Sequence, residues 1–309
     1  MAGKLARITL WVAGLLVLAA ISVFAATERR MARRYEVAAV AIATPSEPAS
    51  LERGRHLVEV IGQCTTCHGA DLAGAAMADD PWLGRLFASN LTPGRGGIAS
   101  FTTADLVRSI RHGVKRDGRS LLLMPAQYFN RFSDADLGAI IAHLRRLPPV
   151  DHVVPEPRIG PVSRLALFSR QAEDILPAEL IDHGAAPRAA PPTDLSTDYG
   201  AYLVETGGCK ICHHENLAGG LHALALPGEP PPANLRPDGP VGRWSESDFL
   251  HTLRSGTTPE GRHLDEAWMP WPAIARMSDL ELRAIWRYLR SLPVESGPAA
   301  PAVAAAPDA

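Results

Sequence analysis

The sequence has little net charge, few cysteines and few aromatic residues, and each scarcity narrows the possible functions. Its 31 lysine and arginine residues against 33 acidic residues give a formal charge of −2 over 309 residues. This balance disfavours nucleic-acid binding, which normally requires a strongly basic surface. Aromatic residues are only 6% of the chain, but hydrophobic residues make up 46% and can form packed cores. The length suits two ordinary domains with connecting segments.

An apolar run occupies residues 8–26 near the N-terminus. A helix needs roughly 20 apolar residues to cross a bilayer, whereas the core of a signal peptide has about 7 to 15, so the run favours an uncleaved anchor. Residues 23–25 also fit a cleavage site, which keeps a signal peptide open. Four arginines follow the run, the reverse of the usual positive-inside distribution. The cysteine chemistry described next requires export and outweighs this statistical preference.

The chain has only four cysteines, and they form two Cys-x-x-Cys pairs that are each followed directly by histidine. This is the attachment pattern of haem c. Residues three apart lie on one face of a helical turn, so both thiols can reach the vinyl groups of one porphyrin while the imidazole meets the iron. We therefore expect two covalently bound haem c groups. The two motifs consist of Cys64, Cys67 and His68, and of Cys209, Cys212 and His213.

Three other interpretations of the cysteines are weaker. In a zinc site with four cysteines, the two Cys-x-x-Cys pairs are usually separated by about 15 to 20 residues. Here the two pairs are much farther apart, since Cys67 and Cys209 are 142 positions apart. A thioredoxin-like redox pair would not require the trailing histidine. A disulfide that closes only two intervening residues would constrain little of the unfolded chain.

Aligning the two motifs shows an internal duplication with an offset of 145 residues. The offset takes Met124-Pro125 to Met269-Pro270, so each motif histidine is followed 56 residues later by Met-Pro. A thioether opposite imidazole is the iron ligation of electron-carrying cytochromes. We therefore expect His68 and Met124 to ligate one iron, and the corresponding pair in the second repeat to ligate the other. The alternative is that both methionines only fill gaps in the core.

Helical patterns surround each predicted haem site. Gly54 and Gly200 lie in segments that lead into the motifs, where glycine can permit two helices to cross closely. After each Met-Pro, a serine precedes an apolar pattern of helical spacing, which predicts a closing helix. Ser278 and Glu281 fit a capping box strictly, whereas aspartate replaces glutamate in the first repeat.

Arginine and asparagine residues also recur in the duplication. Arg111 and Arg254 could pair with haem propionates or could lie solvated on a helix. Asn90 and Asn234 favour turns ahead of prolines, although a hydrogen bond to a propionate is an alternative.

Both halves resemble class I cytochrome c domains, with an opening helix, Cys-x-x-Cys-His, a late methionine and a closing helix. More narrowly, the sequence resembles the multihaem cytochrome c subunits of membrane-bound alcohol and gluconate dehydrogenases at residues 90–93, 96–98, 105–106, 111–114 and 116–118. This likeness covers roughly residues 51–150 well and the second half less closely. Those subunits typically carry three haems, whereas this chain has two motifs.

The expected fold is all-α, with two tandem class I cytochrome c domains behind an N-terminal transmembrane or signal helix. The segments are an anchor or signal peptide at 1–34, domains at 48–150 and 196–295, a linker at 151–195 packed over the domain junction, and a disordered tail at 296–309.

The expected function is electron transfer on the periplasmic side of the cytoplasmic membrane, by a carrier that is not itself an enzyme. A soluble periplasmic protein after signal cleavage is the alternative location. The resemblance implies a periplasmic or membrane dehydrogenase as electron donor, and an oxidase, quinol complex or soluble cytochrome as the other redox partner. The alternative function is a dihaem oxidoreductase, such as a peroxidase or a sulfur-compound oxidising enzyme. A peroxidase would need an open iron position, and a cysteine-ligated sulfur enzyme would need a fifth cysteine.

Overall fold

The computed structural model describes residues 2–38, 40–186, 189–221, 225 and 228–294. The first element is α1 (Ala2–Met31), a helix that projects its apolar side chains outward. The most apolar 18-residue window of the segment Gly3–Met31 has a mean hydropathy of 2.4, and none of that window is buried within the protein. By length and composition, this helix could cross a membrane.

The two halves of the remaining chain repeat one order of helices. In the first half they are α2 (Pro48–His56), which continues as a π-helical turn (Leu57–Ile61), α3 (Cys64–His68), α4 (Thr103–His112), α5 (Ala126–Phe129) and α6 (Asp134–Leu144). In the second half they are α8 (Thr197–Thr206), α9 (Cys209–His213), a 3-10 turn (Pro240–Arg243), α10 (Glu246–Ser255), α11 (Trp271–Ile274) and α12 (Asp279–Ser291).

Side-chain caps fix where these helices begin. A complete capping box starts α4 at Thr102, α10 at Ser245 and α12 at Ser278. Ser133 caps α6 by accepting the N–H of Asp136, without the reciprocal bond. The structure therefore confirms that only the second closing helix has the strict box.

The opening and closing helices of each half cross at a glycine. A Cβ on Gly54 would lie 2.1 Å from the carbonyl oxygen of Ala139, and a Cβ on Gly200 would lie 2.0 Å from that of Ala284. A side chain cannot fit at either position, so the predicted close crossing is confirmed in both halves.

A small antiparallel sheet departs from the all-α expectation. Strands β1 (Ala75–Asp80) and β2 (Gly84–Ala88) form a hairpin, and β3 (Arg158–Ile159) pairs with β2. The fold is thus mostly helical, with a sheet that the helical patterns did not indicate. The carboxylate of Asp80 shapes the hairpin turn by accepting the N–H of Trp82 and of Leu83.

The segment between the halves packs against the first half and α1. After β3 it forms α7 (Pro161–Phe168) and two 3-10 turns (Glu173–Ile175 and Pro177–Glu179). Together with the hairpin it builds a second small core, and Met31 at the end of α1 contacts this core. The buried members of the second core are Leu86, Ile159, Leu167, Ile175 and Leu176. The expected tail at 296–309 lies outside the described residues.

The two halves share one continuous hydrophobic core and exchange equivalent side-chain contacts. The Tyr202 hydroxyl of the second half donates to Asp136 of the first, at 2.6 Å. In return, His56 Nε2 of the first half lies 2.9 Å from a carboxylate oxygen of Glu281 of the second. Asp136 and Glu281 are 145 residues apart and both are buried. The junction is therefore approximately twofold symmetric.

Candidate haem sites

Each Cys-x-x-Cys-His motif is one short helix that follows a left-handed residue. Gln63 precedes α3 with φ 47°, and Gly208 precedes α9 with φ 71°. The left-handed residue turns the chain sharply between the opening helix and the motif helix. After this turn, Cys64 and Cys209 pack against the core. All four cysteines are partly buried. Burial raises the pKa of the Cys64 thiol to about 12 and that of Cys209 to about 11.

The motif histidines are held in the same way in both halves. His68 Nδ1 lies 2.7 Å from the carbonyl oxygen of Ser89, and His213 Nδ1 lies 2.7 Å from that of Ala233. A carbonyl can only accept, so Nδ1 donates and the lone pair resides on Nε2, the tautomer suited to ligate a metal. Burial lowers the pKa of His68, which favours this neutral form.

A second backbone contact fixes the segment that supplies these carbonyls. The N–H of Leu91 donates to the carbonyl of Leu72, and the N–H of Leu235 donates to that of Leu217. Leu72 and Leu217 both have φ 59°, a left-handed conformation that costs free energy for a branched side chain. Both leucines are buried, so packing and the hydrogen bond hold them there.

Met124 and Met269 occupy matching environments. Both are partly buried and pack against the same core as Cys64 and Cys209. In each half the proline after the methionine makes a tight turn, because the N–H of the residue after it donates to the methionine carbonyl, at 2.7 Å for Met124 and 2.6 Å for Met269. By contrast, Met77 is exposed and Met277 is fully buried in the core.

The recurring arginines bind the closing helices. Arg111 donates to Asp134 at 2.6 Å and to the Phe132 carbonyl at 2.9 Å. Arg254 likewise donates to Asp279 at 2.7 Å and to the Met277 carbonyl. Neither is a solvated helix arginine, and each connects the helix before the methionine segment to the one after it.

The recurring asparagines form turns, as favoured from the sequence. Asn90 Oδ1 accepts the N–H of Thr92 at 2.8 Å, and Asn234 Oδ1 accepts that of Arg236 at 2.9 Å. Each turn directly follows the residue whose carbonyl binds the motif histidine. The carbonyls of Ser89 and Ala233 were not identified from the sequence, and the asparagine after each was the available signal.

The donor set fits haem c in both halves. Each half combines two neighbouring thiols, an imidazole with its Nε2 lone pair, and a methionine against the same core. Over the part of the chain that the structure describes, no three His, Cys, Asp or Glu side chains are grouped as around a zinc ion.

Two family models match the chain, one in each half. Residues 49–144 match the model for cytochrome c oxidase, cbb3-type, subunit III, and residues 197–293 match the model for cytochrome c. Each matched region contains one Cys-x-x-Cys-His motif, and together they correspond to two haem c groups.

Several curated proteins are similar to the chain. A nicotinate dehydrogenase component from Pseudomonas putida is 32% identical over 84% of this chain and 22% of that protein. The cytochrome c subunit of alcohol dehydrogenase (quinone) from Gluconacetobacter polyoxogenes is 30% identical over 81% of this chain and 58% of its own length. A dihaem c-type cytochrome of Cereibacter sphaeroides is 27% identical over 75% and 82% of the respective chains. The chain thus spans less than two thirds of the length of the first two relatives.

Proposed function

We propose that this chain, which carries two tandem cytochrome c domains, transfers single electrons between a dehydrogenase and a respiratory acceptor. The observation that carries this proposal is the repeated arrangement of a histidine fixed through Nδ1 and a Met-Pro turn against one core. In a dihaem enzyme, the haem that reacts with substrate would differ from the haem that stores electrons. The two haem sites of this chain are equivalent, which favours electron transfer. The chain is then an electron carrier and not itself an enzyme.

The proposed ligands are His68 and Met124 in the first domain and His213 and Met269 in the second. Cys64, Cys67, Cys209 and Cys212 would hold the porphyrins by thioether bonds. Bound haem supplies an iron that accepts and releases one electron. The Ser89 and Ala233 carbonyls orient the imidazoles and increase their basicity, while burial excludes water from the ligand atoms. The proposed domains are 48–150 and 196–295.

The proposed location is the periplasmic side of the cytoplasmic membrane. The outward apolar surface of α1 supports anchoring, and covalent haem attachment requires export. A dehydrogenase as donor is supported by relatives named as parts of dehydrogenases. An oxidase, quinol complex or soluble cytochrome would accept the electrons.

Haem stoichiometry and carbon monoxide binding test the proposal on the purified full chain. We expect two covalently bound haems per chain, reversible reduction of both, and no rapid carbon monoxide binding to the reduced protein. Rapid binding at either haem would instead indicate the oxidoreductase alternative, because it requires an open iron position. Copurification from membranes should identify the dehydrogenase, and reduction of both haems by that enzyme with its substrate would test the partner.

A further inference from the structure

Helix α7 has an apolar stripe on the outside of the molecule. Val162, Leu165 and Phe168 are spaced three residues apart and are 43%, 56% and 47% exposed. The inner side of the same helix is apolar too, since Ala166 and Leu167 are both buried and Leu167 belongs to the second core. A surface helix of a soluble protein normally presents polar side chains outward, so the stripe requires another explanation.

The polar side chains of α7 are directed towards neighbouring elements. Ser163 donates to the carbonyl of Leu83 at 2.7 Å. Arg164 donates to Thr27 at 3.0 Å and to Glu28 at 2.9 Å, and its guanidinium lies 4.2 Å from the centre of the Phe24 ring. These contacts hold the stripe outward.

The same contacts place α7 beside the last two turns of α1. Arg30 strengthens this placement by donating to the Leu167 carbonyl and to Glu179. The apolar run of α1 ends at Ala26, directly where α7 packs. In a membrane-spanning α1, this level would correspond to the boundary between acyl chains and headgroups.

Trp82 is a further exposed apolar side chain beside the start of α7. Its side chain is 65% exposed, and its carbonyl accepts the N–H of Val162 at 3.0 Å at the start of α7. Tryptophan is enriched at membrane–water interfaces, where the ring is apolar and the indole N–H can bond to water or headgroups.

We propose that the outer stripe of α7, together with Trp82, lies in the interfacial layer of the bilayer that α1 spans. This inference rests on the proposed anchoring by α1 and adds a second membrane contact formed by the folded part of the chain. The occupant of the stripe is a lipid surface, because α7 packs through Arg164 against Phe24, an exposed apolar side chain near the end of the apolar run of α1. The two contacts would fix the tilt of the cytochrome domains above the membrane.

Photo-crosslinking tests the contact on the full haem-loaded chain in phospholipid vesicles that contain a lipid with a photoreactive acyl chain. Mass spectrometry should find crosslinks in α1, in the peptide with residues 162–168 and at Trp82. The double variant L165S/F168S should lose crosslinking in the α7 peptide several-fold while α1 crosslinks remain. V153S, which removes an apolar side chain that is 63% exposed outside the stripe, is the matched control and should change neither.

The possible failures are distinguishable. Crosslinks in α1 without crosslinks in residues 162–168 would overturn the inference and leave the anchor intact. Absence of α1 crosslinks, with release of the protein by alkaline washing, would overturn the anchoring itself. Crosslinks from α7 to another polypeptide or to a second copy of the chain, in place of lipid, would assign the stripe to a protein partner and overturn the lipid contact.

Discussion

At the scale of single residues, a backbone carbonyl orients each motif histidine, that of Ser89 for His68 and that of Ala233 for His213. Haem attachment fixes the spacing of Cys64, Cys67 and His68 because covalent bonds and one helical turn determine it. The duplication then predicts Met124 as the ligand opposite His68. Every residue has a carbonyl and only the following asparagine marks this one, so the bond from His68 to Ser89 required the fold.

Replacement of the methionines tests the proposed ligation. We expect Met124→Ala and Met269→Ala each to keep both haems attached and to open one iron to carbon monoxide, because the thioether is lost while the cysteines remain. The measurement is the absorption spectrum of the reduced protein with and without carbon monoxide.

Met277→Ala is the matched control. Met277 is 3% exposed in the core, so this change should lower the free energy of unfolding by about 2 to 5 kcal/mol without creating a carbon monoxide site. Unchanged ligand binding in both of the other variants would refute the axial assignment.

At the scale of elements, the closing helices followed from periodicity and capping, whereas the sheet did not. Strand β1 (Ala75–Asp80) consists of alanines, a methionine and aspartates, which have little intrinsic preference for strands. It pairs because Asp80 shapes the turn and β2 contributes Leu86 to the second core. Tertiary contacts of this kind are not encoded in the local pattern.

The close crossing of α8 and α12 can be tested by substitution of the glycine between them. Gly200→Ala should lower the free energy of unfolding by about 1 to 3 kcal/mol or more, because the new methyl group would meet the Ala284 carbonyl and force the helices apart. Thermal unfolding followed by circular dichroism measures this. Gly14→Ala, where nothing lies within 4 Å, should leave the midpoint unchanged; equal stability of the two variants would contradict the close crossing.

At the scale of the whole molecule, the two domains are joined through reciprocal contacts of buried acids. This junction was not predicted, because Tyr202 and Asp136 are 66 residues apart and neither is unusual in its own segment. Tyr202 also accepts the N–H of Ser133 at 3.2 Å, next to the start of α6. The second domain thus helps to position the closing helix of the first.

Two phenylalanine substitutions compare strong and weak contacts in this junction. Tyr202→Phe should cost about 1 to 3 kcal/mol of unfolding free energy, since the Ser133 N–H loses its acceptor and Asp136 keeps Arg53 but loses the hydroxyl donor. Tyr199→Phe should cost less, because that hydroxyl lies 3.4 Å from Glu281. Denaturant unfolding gives both values, and the reverse order would contradict the geometry.

The contacts between the two domains should weaken at low pH, because the Glu281 carboxylate becomes protonated. Burial alone would raise the pKa of this carboxyl, but hydrogen bonds from His56 and the Ser278 N–H lower it below its usual value, and the charged Arg53 also faces it. A lowered pKa in the folded state contributes stability that is present above about pH 4.5 and is lost as the pH falls through the folded pKa.

Thermal unfolding from roughly pH 3 to 6 checks this sign. Glu281→Gln should flatten the decline of the midpoint below about pH 4.5. Glu215→Gln, at a side chain that is 73% exposed, should leave the pH profile unchanged. An identical acid decline in the Glu281→Gln variant would show that this carboxyl does not contribute.

Because Tyr202 reaches into the first half and His56 into the second, cohesion does not depend on the peptide that runs between them. A single proteolytic nick in residues 189–195 should therefore leave two fragments that still migrate together on gel filtration under native conditions and separate in denaturant. Residues 189–195 would then act only as a covalent tether, and two separately expressed halves should assemble into one particle.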